Sequence, residues 1–253
     1  MRGLVIGDIH GEADILKQLL SFVTPNKVSF VILVGDIGLS TLSRKMDSFW
    51  VPELKLHSID RYIDSLLEVF TTLDSWRGSS DLNILYVHGN HDFTNIEDIF
   101  SERKFDLKNL HFLGLGESMN LGPYKVAGWG AAPARVAFPS GFSDGNDLEM
   151  VCDVEDIDLL IAHCPPFGYL DGERYGSSMI RNYLDTYANR NPDRPLMFVC
   201  GHIHESSGIL KLPDSEVLIM NAGSLGYPYP RPLLNFIDLE TKSFYQVETN
   251  IKC

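Results

Sequence analysis

The chain has 253 residues, 44% hydrophobic and 22% charged, the composition of an ordinary globular protein long enough to bury a large core. Its formal net charge of −13 argues against a broad basic surface for gripping long nucleic acid, so strong nucleic-acid binding is not expected. The apolar runs are too short to cross a bilayer and no basic, apolar leader follows Met1, so a cytoplasmic protein with no membrane contact is expected.

In chain order, Leu4 to Ile6 predicts a short strand, and Asp14 to Phe22 carries Ile15, Leu16, Leu19, Leu20 and Phe22 at helical spacing. Phe30 to Val34 and Ile84 to Val87 are continuous apolar strands that run into Gly35-Asp36 and into HGNHD at 88–92. Between them lies a mixed segment, Ser43 to Trp76, in which Ile59, Tyr62, Ile63, Leu66, Leu67 and Phe70 form a helical stripe. That stripe reads as a helix covering a sheet, and the less regular Phe49-Trp50-Val51-Pro52 as a lid or a connection. Strands are expected over Leu110 to Leu113, Tyr124 to Ala127, Leu159 to Ala162, Leu196 to Val199, Glu216 to Met220, Phe236 to Asp238 and Phe244 to Val247. A further helix is expected over Ser178 to Asn189. Alternating units followed by a strand-rich half predict an α/β fold of two sheets packed face to face with helices outside. One domain over 1–253 is expected, with a helical insertion at about 43–77. Cys152, Cys164, Cys200 and Cys253 form no CxxC pair and read as free thiols, three of them buried.

Polar residues gather just past the strand ends: Asp8 and His10 in GDIHG, Asp36, then Asn90, His91 and Asp92 in GNHD, His163, and His202 and His204 in GHIH. The carboxyl ends of strands in an α/β sheet share one edge, where residues distant in sequence converge. Carboxylates and imidazoles in D-x-H and H-x-H pairs suit Mn, Fe, Zn or Co, and buried carboxylates without such partners are costly. Each signal alone is equally a turn, a helix cap or a structural histidine; their recurrence at five strand ends favours metal.

GDIHG, GD, GNHD, a His after a strand and GHIH, in that order, resemble the calcineurin-like metallophosphoesterases, especially their small phosphodiesterase-like branch. The resemblance implies a ββ sandwich flanked by helices with two divalent ions at its edge, manganese first, with iron, zinc or cobalt as alternatives. It implies that Asp8, His10 and His204 bind one ion, Asn90, His163 and His202 the other, and that Asp36 bridges both. Two ions and two carboxylates leave a formal charge of about +2, which attracts phosphate despite the acidic chain. The implied reaction is hydrolysis by a metal-bridging hydroxide, with His91 donating to phosphate or to the leaving oxygen. Asp92 either orients His91 or caps a helix.

The phosphoprotein phosphatases of this family continue GD as GDxxDRG, whereas here Leu39 and Ser40 stand at the positions of that Asp and Arg. The departure favours a small phosphodiester or nucleotide substrate. A nuclease or phosphomonoesterase of the same fold, and a non-enzymatic protein-binding scaffold, are the alternatives. HCPPFGYLD, with Phe167 and Tyr169, either walls an organic group or fixes His163, and Arg135 and Arg231 are candidate phosphate contacts. NAGSLG at 221–226 is read as a structural turn, and His57, His88 and His111 as surface or core histidines. The sequence assigns no oligomeric state.

Overall fold

The computed structural model describes residues 1–39, 52–78, 80–92, 96–105, 107–114, 116–130, 156–172, 175–226 and 232–251, the side chains of 52–59 and 97 excepted. Two six-stranded sheets lie face to face. The first has the order β12-β11-β1-β2-β3-β4, built from β1 (Arg2–Ile6), β2 (Phe30–Leu33), β3 (Asn83–Tyr86), β4 (Leu110–Phe112), β11 (Leu233–Asp238) and β12 (Ser243–Glu248). The second has the order β5-β6-β7-β8-β10-β9, built from β5 (Ser118–Leu121), β6 (Tyr124–Trp129), β7 (Leu159–Ala162), β8 (Leu196–Cys200), β9 (Gly208–Lys211) and β10 (Val217–Asn221). In each sheet the central strands are parallel and the antiparallel pairs sit at the margins.

Side-chain alternation assigns each central strand to two cores at once. In β1, Val5 faces the space between the sheets while Leu4 and Ile6 face the helices. There α1 (Ala13–Leu20) and α2 (Pro52–Arg77) bury Leu16, Leu19, Tyr62, Leu66, Val69 and Phe70. In β7, Leu159 and Ile161 meet the first sheet, and Leu160 and Ala162 meet Ile180 and Leu184 of α4 (Ser178–Arg190). Ser177 caps α4, its Oγ accepting from Ile180 N at 3.3 Å. This double burial explains why these strands read as unbroken apolar runs.

The expected two-sheet α/β architecture is therefore present. Among the described strands and α-helices, three escape the sequence pattern: β5, β9 and α3 (Ile96–Glu102). Both strands lie at the margins of the second sheet, and SMNL and GILK alternate between half-buried and exposed positions along most of their length, so neither shows an apolar run. α3 has only seven residues, too few for a helical stripe to register. Cys164 and Cys200 are both buried; Cys152 and Cys253 lie outside the described residues, as do the Phe49-to-Val51 segment, Arg135 and Arg231.

Topology delivers the ends of β1, β2 and β3 from one sheet and of β7, β8 and β10 from the other to the same edge. The sheets are stitched there: Asp8 N–H donates to the Gly223 carbonyl at 3.1 Å, Leu225 N–H to the Asp8 carbonyl at 2.8 Å, and Ser224 Oγ to that same carbonyl at 3.0 Å. Because β7 is buried on both faces, Leu160→Ala and Ile161→Ala are each expected to cost about 2–5 kcal/mol in urea unfolding. Tyr245→Ala, on half-exposed β12, is expected to cost about 0.5 kcal/mol or less; comparable losses at all three sites would contradict the double-core layering.

Candidate metal centre

The polar residues singled out above converge on this edge in two groups, Asp8 with His10 and His204, and Asp36 with His163 and His202, whose ligand atoms lie within 4.8 Å of one another in each group. His204 Nε2 is 2.9 Å from Asp8 Oδ2 and 3.2 Å from His10 Nε2. His163 Nε2 is 2.9 Å from Asn90 Oδ1 and 3.5 Å from Asp36 Oδ2. The same Asp36 oxygen lies 3.9 Å from His10 Nε2, so this carboxylate stands between the groups.

Local backbone builds these positions at some cost. His10, Asp36 and His202 adopt φ of +50°, +48° and +67°, left-handed conformations that disfavour L side chains by about 1–2 kcal/mol each. Two glycines make room for the acids: a Cβ at Gly89 would fall 2.1 Å from Asp36 Oδ1, and one at Gly201 2.1 Å from Asp8 Oδ1. Backbone donors then fix the carboxylates, His91 N–H to Asp36 Oδ1 at 2.8 Å and His202 N–H to both Asp8 oxygens at 3.1 and 3.0 Å.

Burial works to raise the carboxyls of Asp8 and Asp36, but His163 beside both, with His204 on Asp8 and His91 and His10 beside Asp36, holds both below the usual carboxylate range. Burial also opposes charge on the imidazoles. It lowers His10 to about 4 and His202 to about 3, whereas the facing carboxylates lift His163 and His204 above the ordinary histidine value. The pocket thus demands positive charge next to its two acids.

The donor set fits divalent cations in three respects. His163 Nδ1 is 2.8 Å from the Val34 carbonyl, so its N–H donates there and Nε2 faces Asn90 Oδ1. In the charged ring Nε2–H donates to Asn90 Oδ1 at 2.9 Å, and a divalent cation would take the place of that proton. His10 and His204 likewise point Nε2 at each other, and His202 Nε2 is buried with no hydrogen-bond partner.

His91 is half-buried at the rim, its ring edge-on to His10 at 5.4 Å between centroids. Asp92 accepts from Ile37 N–H and Gly89 N–H at 2.9 Å each and from the Tyr62 hydroxyl at 3.1 Å, three bonds that brace the turns beside it. In the HCPPFGYLD loop the Arg181 guanidinium covers the Tyr169 ring at 4.3 Å, and Asp171 accepts from Gly168 and Gly176 N–H. These contacts brace the loop on itself and on α4. His88 packs between Tyr86 and Phe112, and His111 meets Asn83 at 2.9 Å. Asn221 and Ser224 hold the NAGSLG turn, as its structural reading expects, Asn221 Nδ2 donating to the Ile203 and Leu170 carbonyls, whereas the bond of Tyr62 to Asp92 has no counterpart in the sequence reading. The signal for Tyr62 was a hydroxyl inside an apolar stripe, which asks for a buried acceptor.

A family model described as calcineurin-like phosphoesterase matches residues 1–206. No curated protein matches the sequence. Among solved structures, one crystal structure aligns over 98% of each chain with 17% identity and a TM-score of 0.72. The protein TT1561 of Thermus thermophilus aligns over 98% of each chain with 14% identity and a TM-score of 0.59. At these identities the likeness is one of fold.

Between pH 6.5 and about 4, unfolded His10 and His202 take up protons that the folded chain refuses. With chelator present, stability is therefore expected to fall as pH falls through that window, by about 1.4 kcal/mol per pH unit per histidine. His163 and His204, raised, are charged in both states there and lose their contribution only as pH rises above 6.5; Asp8 and Asp36, lowered, lose theirs below 3.8. Asp92, raised by burial and by Asp36, opposes the trend at the acid end. A urea midpoint that stays flat or rises from about pH 6.5 to about 4.5 would contradict neutral His10 and His202.

Proposed function

Because the chain belongs to the calcineurin-like phosphoesterase family, a family of metal-binding phosphoester hydrolases, we propose that it is a binuclear, manganese-dependent, phosphodiesterase-like enzyme acting on a small phosphodiester or nucleotide in the cytoplasm. We read residues 1–253 as one such domain, with the segment at about 43–77 as a helical insertion. The observation that carries the binuclear reading is the position of Asp36 Oδ2, 3.9 Å from His10 Nε2 and 3.5 Å from His163 Nε2, between the two clusters. A shared carboxylate is what two neighbouring cations need to offset their repulsion.

In this reading Asp8, His10 and His204 would hold one ion, Asn90, His163 and His202 the other, and Asp36 would serve both. When bound, the two ions supply positive charge for the phosphate oxygens and acidify a water for attack on phosphorus. The protein's own groups do the rest. The Val34 carbonyl fixes the His163 tautomer so that Nε2 faces the centre, and the backbone bonds to Asp8 and Asp36 hold their carboxylates without reorganisation. His91, held by its own N–H on Asp36, presents its imidazole at the rim, where it donates a hydrogen bond to phosphate or a proton to the leaving oxygen. Leu39, 40% exposed, is an apolar neighbour of the centre in place of a charged phosphate grip, which supports diester over phosphoprotein chemistry.

The test is a substrate panel on manganese-loaded protein: bis-para-nitrophenyl phosphate, para-nitrophenyl phosphate, cyclic nucleotides and single-stranded oligonucleotides. Chelator is expected to abolish turnover and manganese to restore it, with the diester favoured. His91→Ala is expected to lower kcat about 100- to 10,000-fold while bound manganese stays at the wild-type level. Chelator-resistant turnover would remove the metal mechanism, and undiminished turnover in His91→Ala would remove the assignment of that residue.

A further inference from the structure

Helix α2 reaches the centre through side chains that the reading above leaves without a role. The Tyr62 hydroxyl donates to Asp92 Oδ1 at 3.1 Å; the same carboxylate accepts from Ile37 N–H through Oδ1 and from Gly89 N–H through Oδ2. Ile37 directly follows Asp36, and Gly89 directly precedes Asn90. One fully buried carboxylate therefore ties the turn that carries the shared acid to the turn that carries the amide ligand. One turn along the helix, Ser65 Oγ accepts from Leu39 N–H at 2.7 Å, and the Tyr62 ring packs on Gly38. Tyr62 and Ser65, three residues apart on one helical face, thus grip residues 37–39 from behind.

The packing of Tyr62 needs only its ring, which is fully buried in the core between the helices and the first sheet. The hydroxyl does something packing does not require. It donates to a buried acid already close to a second buried acid, Asp36. Removing it takes away a donor that positions Asp92, and the two turns are then held by backbone donors alone.

Resting on the metal reading, we propose that Tyr62 is a positioning residue: through Asp92 it sets the spacing of Asp36 and Asn90, and so the affinity for the ion these share with His163 and His202. Occupancy of the centre is thereby coupled to the seating of α2 on the sheet.

The experiment titrates Mn²⁺ alone by calorimetry into wild type, Tyr62→Phe and Val69→Ala, with thermal midpoints recorded in chelator. Val69 is buried on the same helix and contacts core only, so its variant reports loosened packing without touching the brace. Tyr62→Phe is expected to weaken Mn²⁺ binding about tenfold or more, while Val69→Ala lowers the midpoint at least as much and leaves the affinity unchanged. Equal affinity in wild type and Tyr62→Phe, or equal weakening in both variants, would overturn the inference alone. Wild type that binds no Mn²⁺ would overturn the metal reading and the inference with it.

Discussion

Two carboxylates, Asp8 and Asp36, are buried side by side where the strand ends of both sheets meet, and everything around them is arranged to make that tolerable. Ionised acids in a dry interior cost several kcal/mol each unless positive charge and hydrogen-bond donors surround them. Backbone N–H groups of His91 and His202 supply donors, and four imidazoles crowd the remaining space. The left-handed backbone at His10, Asp36 and His202 is the conformational cost of aiming these groups inward. A divalent cation held among these acids and imidazoles would relieve the repulsion that the protein alone leaves between the carboxylates.

The same requirement explains the layered fold. Neither sheet alone presents enough donors: Asp8, His10, Asp36, Asn90 and His91 come from the first, and His163, His202 and His204 from the second. The apolar layer of Val5, Ile32, Val87, Ile161 and Val199 presses the sheets together, and the polar edge forms where that layer ends. Core packing thus supplies the rigidity that keeps like charges in place.

Most of the fold was legible because strands buried on both faces produce unbroken apolar runs, and those runs end at the polar residues of the centre. Marginal strands such as SMNL and GILK carry no such run and were invisible. Within the centre, residue type revealed which groups gather, since His, Asp and Asn after strands have few other reasons to recur. The supporting cast was harder to see: Ser224 and Asn221 act through backbone carbonyls that any residue could own, and Tyr62 hides in a stripe whose spacing already had an explanation. The two readings of Asp92, orienting His91 or capping a helix, gave no hint of its bonds to Ile37, Gly89 and Tyr62, because that bracing depends on three segments meeting in space.

The stitch between Asp8 and Ser224 joins residues 216 positions apart. A ribosome has released the first strand long before the partner of its last turn is made, and pairings this remote form slowly in any chain. Asp8 therefore gains its bonds to Gly223 and Ser224 only once the segment after the tenth strand is in place. Closure of the centre is thereby tied to the most remote pairing in the fold, and a chain cut before Ser224 would keep the polar motifs and lose the contact that joins the two sheets.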